Sequence, residues 1–151
     1  MAAEAPELEA WTAIVGVYQS VLHELVAVLE REVGMDSGVF SALAYVERAD
    51  PPHRIRMSEL QRLLHPRYSQ PGFSRLVSRM QAEGLVVREH DPDDGRAVQI
   101  VTTRAGRSRY RRASDVYAPA VQRLVGKFVT PEQCRALVAL LGPRANGSAR
   151  S

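Results

Sequence analysis

The chain has 151 residues, of which 45% are apolar and 25% are charged, proportions that are ordinary for a soluble globular protein. This length supports a real core without disulfides or a structural metal. The only cysteine is Cys134, which excludes an intrachain disulfide and favours the reducing cytoplasm. No stretch is expected to reach the roughly 20 apolar residues that cross a bilayer, so no membrane partner is predicted.

Charge is distributed unevenly along the chain. Residues 1–50 carry nine acids against two arginines, a net charge of −7, whereas residues 51–112 carry thirteen arginines against six acids, a net charge of +7. A basic central segment is suited to an anionic partner, either a nucleic acid or an acidic membrane surface. The pattern of residues within that segment has to decide between the two.

The first predicted element is one long amphipathic helix. Apolar residues recur at intervals of three and four over residues 8–33, and Gly34 is a natural end. A helix this long cannot bury its apolar stripe against a small domain, so it predicts a second subunit. A second helix is predicted over residues 39–48, capped by Asp36 or Ser37.

Two further short helices are predicted next. Residues 53–56 form a short extended piece, and Ser58 caps a third helix over residues 59–64. After a turn, Ser69 caps a fourth helix that runs to about Glu83. The spacing of its apolar residues predicts one buried face, formed by Phe73, Leu76, Val77 and Met80.

A hairpin and two helices complete the chain. Residues 85–90 and 96–102 read as strands around a dense turn signal, which predicts a β-hairpin. Thr103 is expected to cap a fifth helix over residues 104–128. Thr130, Pro131 and Gln133 then match a helix start, and this last helix is predicted to end at Gly142.

This order of elements predicts a fold class that is mainly α with a small β-hairpin. Two short helices and a hairpin are the parts of a winged helix-turn-helix, predicted over residues 36–103. Residues 8–33 and 104–142 are predicted as a helical dimerisation region, with flexible tails at residues 1–7 and 143–151.

The outer face of the fourth helix is the main functional signal. It carries Pro71, Ser74, Arg75, Ser78, Arg79 and Ala82, with Ser69 and Gln70 at its start. A merely solvated face mixes both signs of charge, whereas this one has no carboxylate until Glu83. Arginines that bind guanine edges, among small side chains that allow close approach, suit a DNA major groove.

The hairpin tip carries a weaker signal. It has three carboxylates and Arg96, which is also the pattern of an ordinary solvated turn. A single arginine at the tip can still enter a narrow minor groove, where the electrostatic potential is most negative. Asp94 is expected to hold the Arg96 guanidinium by a charge-assisted hydrogen bond.

Three short runs together resemble the MarR family (multiple antibiotic resistance regulators). They are Gly84-Leu85-Val86-Val87-Arg88, Asp91-Pro92-Asp93-Asp94-Gly95-Arg96-Ala97 and Thr103-Arg104-Ala105-Gly106, and the order of the elements agrees. The chain departs from the family pattern in two places: Thr102 stands where the family usually has leucine, and the turn over residues 65–68 is longer than usual.

The resemblance implies a homodimeric, winged helix-turn-helix transcription regulator, most commonly a repressor, that binds a pseudo-palindromic operator and responds to a small aromatic or lipophilic effector. By residue, it implies that double-stranded DNA is contacted by Arg67, Ser69, Gln70, Ser74, Arg75, Ser78, Arg79, Arg88, Asp94 and Arg96. Arg67 and Arg88 are expected to bind phosphates.

The remaining signals are weaker. Trp11, Tyr18, His23 and Tyr45 are candidates for an effector cleft, although most of them equally suit an interface core. Cys134 is expected to be a small apolar interface residue rather than a redox sensor. Scattered histidines predict no metal site, and no cofactor is expected. The chain has no nucleophile with a nearby base and no phosphate loop, which argues against an enzyme. A helical homodimeric interaction protein without DNA binding stays open as an alternative.

Overall fold

The computed structural model describes the backbone of residues 5–147 and the side chains of residues 5–142. Within the described residues the chain divides into two compact units: a central unit of residues 33–115, and a terminal unit of residues 5–32 with residues 116–147. The helices within the described residues are α1 (Pro6–Val33), α2 (Ser37–Glu47), α3 (Met57–Leu64), α4 (Gln70–Ala82), α5 (Arg104–Val125) and α6 (Pro131–Gly147), and the strands are β1 (Arg54–Arg56), β2 (Val86–His90) and β3 (Val98–Thr102).

The central unit holds a three-stranded antiparallel sheet in the order β1-β3-β2. The predicted hairpin is present, with Arg88 of β2 opposite Ile100 of β3. The short extended piece before α3 forms a third strand, in which Ile55 lies opposite Ile100 on the other side of β3. The sequence did not predict this pairing, because three residues carry too little periodicity to name a partner strand.

Helix starts in the central unit follow local hydrogen bonding. Asp36, rather than Ser37, caps α2, and its Oδ1 accepts from the backbone N–H groups of Gly38 and Val39 at 2.9 and 3.1 Å. The prediction that Ser58 caps α3 is wrong. Arg56 occupies the capping position with no side-chain cap, because β1 runs directly into the helix and places Ser58 within its first turn.

α4 has the buried underside that its sequence spacing predicted. Phe73, Leu76, Val77 and Met80 are all buried. They belong to the same buried core as residues from α2, α3 and the sheet, namely Leu43, Val46, Leu60, Leu64, Val86 and Ile100. The Ser69 side chain caps α4 by accepting from Gly72 N–H at 3.3 Å, as expected. The opposite face of α4 is thereby fixed toward solvent.

The central unit is wider than the 36–103 segment predicted for it, because the first half of α5 packs within it. Gly106 of α5 lies so close to the main chain of Leu85 that an added Cβ would be 2.0 Å from the Leu85 carbonyl oxygen. Tyr110 stacks on Phe40 of α2 with ring centroids 5.6 Å apart. These contacts attach the start of α5 to the residue that precedes β2 and to α2.

The terminal unit has its own small core. Leu25, Val28, Ala120 and Leu124 are buried together, with Val21, Val116, Tyr117 and Val121 packed against them. The capping box predicted for α6 is present: Thr130 Oγ1 accepts from Gln133 N–H at 3.3 Å, and Gln133 Oε1 accepts from Thr130 N–H at 2.8 Å.

Three predicted boundaries differ in the terminal unit. α5 ends at Val125 rather than at residue 128, while α6 continues beyond Gly142 to Gly147 because Gly142 keeps helical backbone geometry. α1 begins at Pro6, so the helical segments take in parts of both predicted tails. The tail residues 1–4 and 148–151 lie outside the described residues.

α1 also corrects an expectation about membranes. By length and composition alone it is apolar enough to cross a bilayer. The reason is that charged residues are absent from a long part of the helix, since residues 10–23 contain no Asp, Glu, Lys or Arg. Most of this apolar stretch is not buried by the chain itself.

Candidate nucleic-acid interface

The solvent face of α4 is polar and almost free of acids. Ser69, Gln70, Ser74, Arg75, Ser78 and Arg79 are all exposed, as are Pro71 and Ala82 between them. Because the underside is buried, this face has a fixed orientation. The amides of the first turn of α4 also lack helical partners and bear partial positive charge, an arrangement that attracts anions.

The two arginines on this face have different surroundings. No hydrogen bond or ion pair of the Arg75 guanidinium is found among the described residues. Arg79 Nη2, in contrast, lies 3.0 Å from Asp36 Oδ1, and its Nε lies 3.8 Å from Glu83. Both arginines line a shallow polar depression of about 360 Å³ beside Tyr68. Arg75 is therefore available to a partner, while Arg79 has to leave a carboxylate to meet one.

Asp36 is a residue of this surface that the sequence suggested only as a helix cap. Partial burial raises the pKa of its carboxyl, but the N–H of Val39 and the positive charge of Arg79 outweigh this and hold the pKa below its ordinary value of 3.8. One carboxylate therefore caps α2 and neutralises part of the α4 face.

Arg67 precedes α4 and is held against α2. Its Nη2 donates to Ser37 Oγ at 2.7 Å and its Nη1 to Ser41 Oγ at 3.3 Å. The guanidinium also lies over the Tyr68 ring, 5.7 Å from its centroid. The sequence proposed Arg67 as a phosphate contact but missed these partners, although two serines four residues apart were the available signal. Arg67 is exposed but oriented before any ligand is present.

Arg88 joins the sheet to the same face of α4. It lies on the exposed part of β2, and its Nη2 is 3.4 Å from Ser78 Oγ on α4. This contact brings together two of the predicted residues that are separated in sequence. Arg88 therefore extends the basic surface of α4 toward the hairpin.

The wing, residues 91–97 with the strands on either side, corrects one predicted contact. Asp94 Oδ1 accepts from the backbone N–H of Arg96 at 3.2 Å, so the bond orders the main chain rather than the guanidinium. The turn closes through a second bond, from Ala97 N–H to the Asp94 carbonyl at 2.9 Å. A side chain two residues back reaches the nearest amide more readily than the end of a long arginine. Arg96 is exposed at the tip.

Near the base of the wing lies an ion pair that no pattern in the sequence predicted. Arg56 contacts Asp91 at 2.9 Å, and the two are 35 residues apart. Asp91 is the one acid of the predicted solvated turn that is buried.

The four candidate effector residues do not fall in one unit. Trp11, Tyr18 and His23 lie exposed on α1, and Tyr45 lies exposed on α2 of the central unit. Tyr18 lines an apolar groove of about 500 Å³ formed by α1, α5 and α6 within the terminal unit, whereas Tyr45 lines a different, polar pocket. The shared cleft remains a prediction.

The described residues contain no group of three or more histidines, cysteines or acids arranged to hold a metal ion. Cys134 is half-buried on α6, as suits a small apolar side chain.

Known proteins are similar to this chain over its whole length. Residues 33–97 match the model of the MarR family. AbsC, a MarR family transcriptional regulator from Streptomyces coelicolor, is 23% identical with a TM-score of 0.79, and the alignment covers 100% of this chain and 99% of that one. Sco3205, a MarR family transcriptional regulator from the same organism solved in complex with DNA, is 26% identical with a TM-score of 0.78, covering 97% and 91% of the two chains.

A mutant MarR from E. coli complexed with operator DNA is also similar, at 22% identity and a TM-score of 0.72, covering 87% of this chain and 90% of that one. No curated protein sequence matches this chain.

The three-stranded sheet, the α3–α4 pair and the hairpin define a winged helix-turn-helix protein. Within that class, residues 33–97, less than half of the chain, match the model of the MarR family, and the similar solved structures AbsC and Sco3205 are MarR family regulators.

Proposed function

We propose that this chain is a sequence-specific, double-stranded DNA-binding transcription regulator. The observation that carries the proposal is the exposed arginine, serine and glutamine face of α4 above a fully buried apolar underside. Small side chains let a helix lie deep in the major groove, and arginine binds guanine edges with two hydrogen bonds. The similar structures that were solved with DNA support the same reading.

Each predicted residue then has a role in the proposed complex. Arg75 reads a base, while Ser69 and Gln70 meet a phosphate at the start of α4. Arg67 and Arg88 bind flanking phosphates. Arg96, carried on the wing that Asp94 helps to order, enters a minor groove, while Ser74, Ser78 and Arg79 complete the major-groove face.

The protein acts as a homodimer in this proposal. Large apolar side chains on α1 and α6 stay exposed in the single chain, including Trp11 at 63% and Val138 at 68%. Exposed apolar patches of this kind mark protein–protein interfaces. A second copy that covers them gives two α4 helices and hence a pseudo-palindromic operator. Trp11→Glu is expected to produce monomers in sedimentation velocity, and a variant that stays dimeric would argue against this surface.

Repression and effector response are the finer parts of the proposal. A dimer seated on an operator blocks access to the DNA beneath it, and a small aromatic or lipophilic molecule bound in the apolar groove that Tyr18 lines lowers DNA affinity. The site of action is the cytoplasm, and no enzymatic step is involved. Operator titrations with and without phenolic compounds test the effector, since an affinity that no compound changes would remove this part.

Arg75→Ala tests the proposal as a whole. The variant is expected to lose about 1–3 kcal/mol of binding free energy and to relax specificity at one base. Fluorescence anisotropy with duplexes from the region beside its own gene measures both effects. Arg31→Ala is the matched control, because Arg31 is exposed on α1 and pairs with its neighbour Glu32. Equal affinities for wild type and Arg75→Ala would remove Arg75 from the interface.

Salt dependence separates the proposal from the alternative of a helical homodimeric interaction protein. Phosphate contacts release counterions, so affinity for DNA is expected to fall steeply between about 50 and 200 mM salt. The exposed apolar residues of α1 and α6 fit both functions. A dimer that binds no duplex at any salt concentration would favour the alternative.

A further inference from the structure

One ion pair joins the base of the wing to the start of α3. Both Nε and Nη2 of Arg56 approach Asp91 Oδ2, at 3.0 and 2.9 Å. The Asp91 side chain is only 4% exposed, whereas that of Arg56 is 51% exposed. A carboxylate removed from water to this extent needs charged or hydrogen-bonded partners, so this contact is built into the fold.

Asp91 also organises the wing loop from inside. Its Oδ1 accepts from the N–H of Asp93 at 3.0 Å, its own N–H donates to the Ala97 carbonyl at 2.9 Å, and its carbonyl accepts from Asp94 N–H at 3.3 Å. The N–H of Asp93 outweighs burial and, with Gln99 and Arg56, holds the pKa of the Asp91 carboxyl below 3.8. One residue therefore binds both arms of the loop.

Arg56 supplies the fixed end of this connection. Its main chain is the last residue of β1, opposite Gln99 of β3, and also the residue that precedes the first turn of α3. The backbone pairing of β1 with β3 and the Arg88–Ser78 contact already attach the strands to the helices. The strand pairs of the hairpin end at His90 and Val98, so the loop between them, residues 91–97, lies beyond that pairing, and the Arg56–Asp91 ion pair connects it to the start of α3.

We propose that Arg56 and Asp91 are positioning residues that aim the wing, and hence Arg96, at DNA. This inference rests on the proposed DNA-binding function. Asp91 is buried and so does not touch the nucleic acid itself. Its effect on affinity passes through Arg96, which sits five residues along the same loop and is exposed at the tip.

The sign of one charge change makes the proposal testable. Removing a negative charge from a loop that faces DNA strengthens binding if charge alone matters. Positioning predicts the opposite for Asp91→Asn, which is expected to weaken binding about threefold to tenfold as part of the Arg96 contact is lost. Asp93→Asn is the matched control, because this substitution removes the same charge from the same loop, at a side chain that is exposed. It is expected to leave affinity equal or slightly higher.

A double-mutant cycle with Arg96→Ala excludes a merely structural effect. If Asp91 acts through Arg96, Asp91→Asn weakens binding in the wild-type background, whereas in the Arg96→Ala background it changes affinity no more than Asp93→Asn does. The same fold loss in both backgrounds, or a gain in affinity in the wild-type background, would overturn the proposal. Arg56→Ala is expected to behave like Asp91→Asn in the cycle, whereas a direct phosphate contact of Arg56 would stay additive.

Hydrogen exchange gives a readout that needs no DNA. Asp91→Asn is expected to speed exchange of the Asp94 and Ala97 amides while leaving α4 unchanged, and Asp93→Asn is expected to do neither. Unchanged exchange of these amides in Asp91→Asn would overturn the proposal that Arg56 and Asp91 position the wing, even if DNA binding were normal. A wild-type chain that binds no duplex, with exchange as expected, would instead overturn the proposed function and with it the role of the pair toward DNA.

Discussion

Replacing Asp36 separates its two tasks, capping α2 and pairing with Arg79. Replacing an aspartate cap by alanine costs about 0.5–2 kcal/mol of stability. The side chains of Asp36 and Arg79 are 49% and 46% exposed. An ion pair between side chains this exposed contributes roughly 0.2–1 kcal/mol. Asp36→Ala is therefore expected to lower the free energy of unfolding by about 1–3 kcal/mol. Asp36→Asn keeps an equally good cap and is expected to lose less than about 1 kcal/mol.

Urea denaturation of wild type, Asp36→Ala, Asp36→Asn and Arg79→Ala at neutral pH measures these differences. The reasoning requires Asp36→Asn and Arg79→Ala to lose similar, small amounts and Asp36→Ala to lose clearly more. If Asp36→Asn were as unstable as Asp36→Ala, the cap would not be the larger contribution and the argument would be refuted.

The difference in the free energy of unfolding between wild type and Asp36→Asn is expected to depend on pH, because the pKa of Asp36 is lowered in the folded state. A carboxyl whose folded-state pKa is below the ordinary value of 3.8 contributes stability that is complete above that value and is lost as the pH falls through the folded-state pKa. The gap between wild type and Asp36→Asn is therefore expected to be constant near neutral pH and to close in acid. A gap that widened on acidification would contradict the assigned direction.

Asp36→Asn also bears on DNA binding. Arg79 has to leave the Asp36 carboxylate to reach a phosphate, so weakening this pair is expected to tighten DNA binding. Operator titrations at several salt concentrations measure the effect. Weaker binding by Asp36→Asn would show instead that the carboxylate holds Arg79 in its binding geometry.

Further predictions concern stability. Gly106→Ala is expected to cost about 1–3 kcal/mol or more, because its Cβ meets the Leu85 carbonyl oxygen at 2.0 Å. Gly16→Ala is expected to gain about 0.5–1 kcal/mol of helix stability, because nothing lies within 4 Å of the added Cβ. Thermal unfolding of the Gly106→Ala and Gly16→Ala variants compares the two, and equal shifts in Tm would contradict the close approach of Gly106 to Leu85. Thr102→Val is expected to cost about 1–3 kcal/mol by removing the hydroxyl bond to the Glu47 carboxylate, while Thr102→Ser keeps it; urea unfolding that ranks the serine variant lower would refute this.

Local signals in the sequence were sufficient for most elements. The buried side of α4, from Phe73 to Met80, follows from spacing alone, because a helix repeats every 3.6 residues whatever surrounds it. The Thr130–Gln133 capping box likewise joins residues three apart and forms as predicted. Ser58 shows where this fails: a good capping residue is not used when the preceding strand already sets the start of the helix.

For the candidate site, the sequence likewise predicted the exposed residues but not their contacts. Which residues lie on the outer face of α4 could be predicted, since exposure follows from the position of the buried face. What each arginine contacts could not. The guanidinium of Arg67 binds Ser37, 30 residues earlier, and Arg56 binds Asp91, 35 residues later. No periodicity links residues so far apart.

The amino-acid sequence by itself determined the order of the elements, the apolar side of each helix and the basic, hydroxyl-rich surface of α4. These depend on backbone geometry that repeats over a few residues. Only the tertiary structure decided that β1 joins the sheet, that Asp36 pairs with Arg79 and that Arg56 pairs with Asp91 at the base of the wing. Such pairs form because packing of the apolar core brings distant segments together, and the side chains that meet there are set by that packing rather than by their neighbours in the chain.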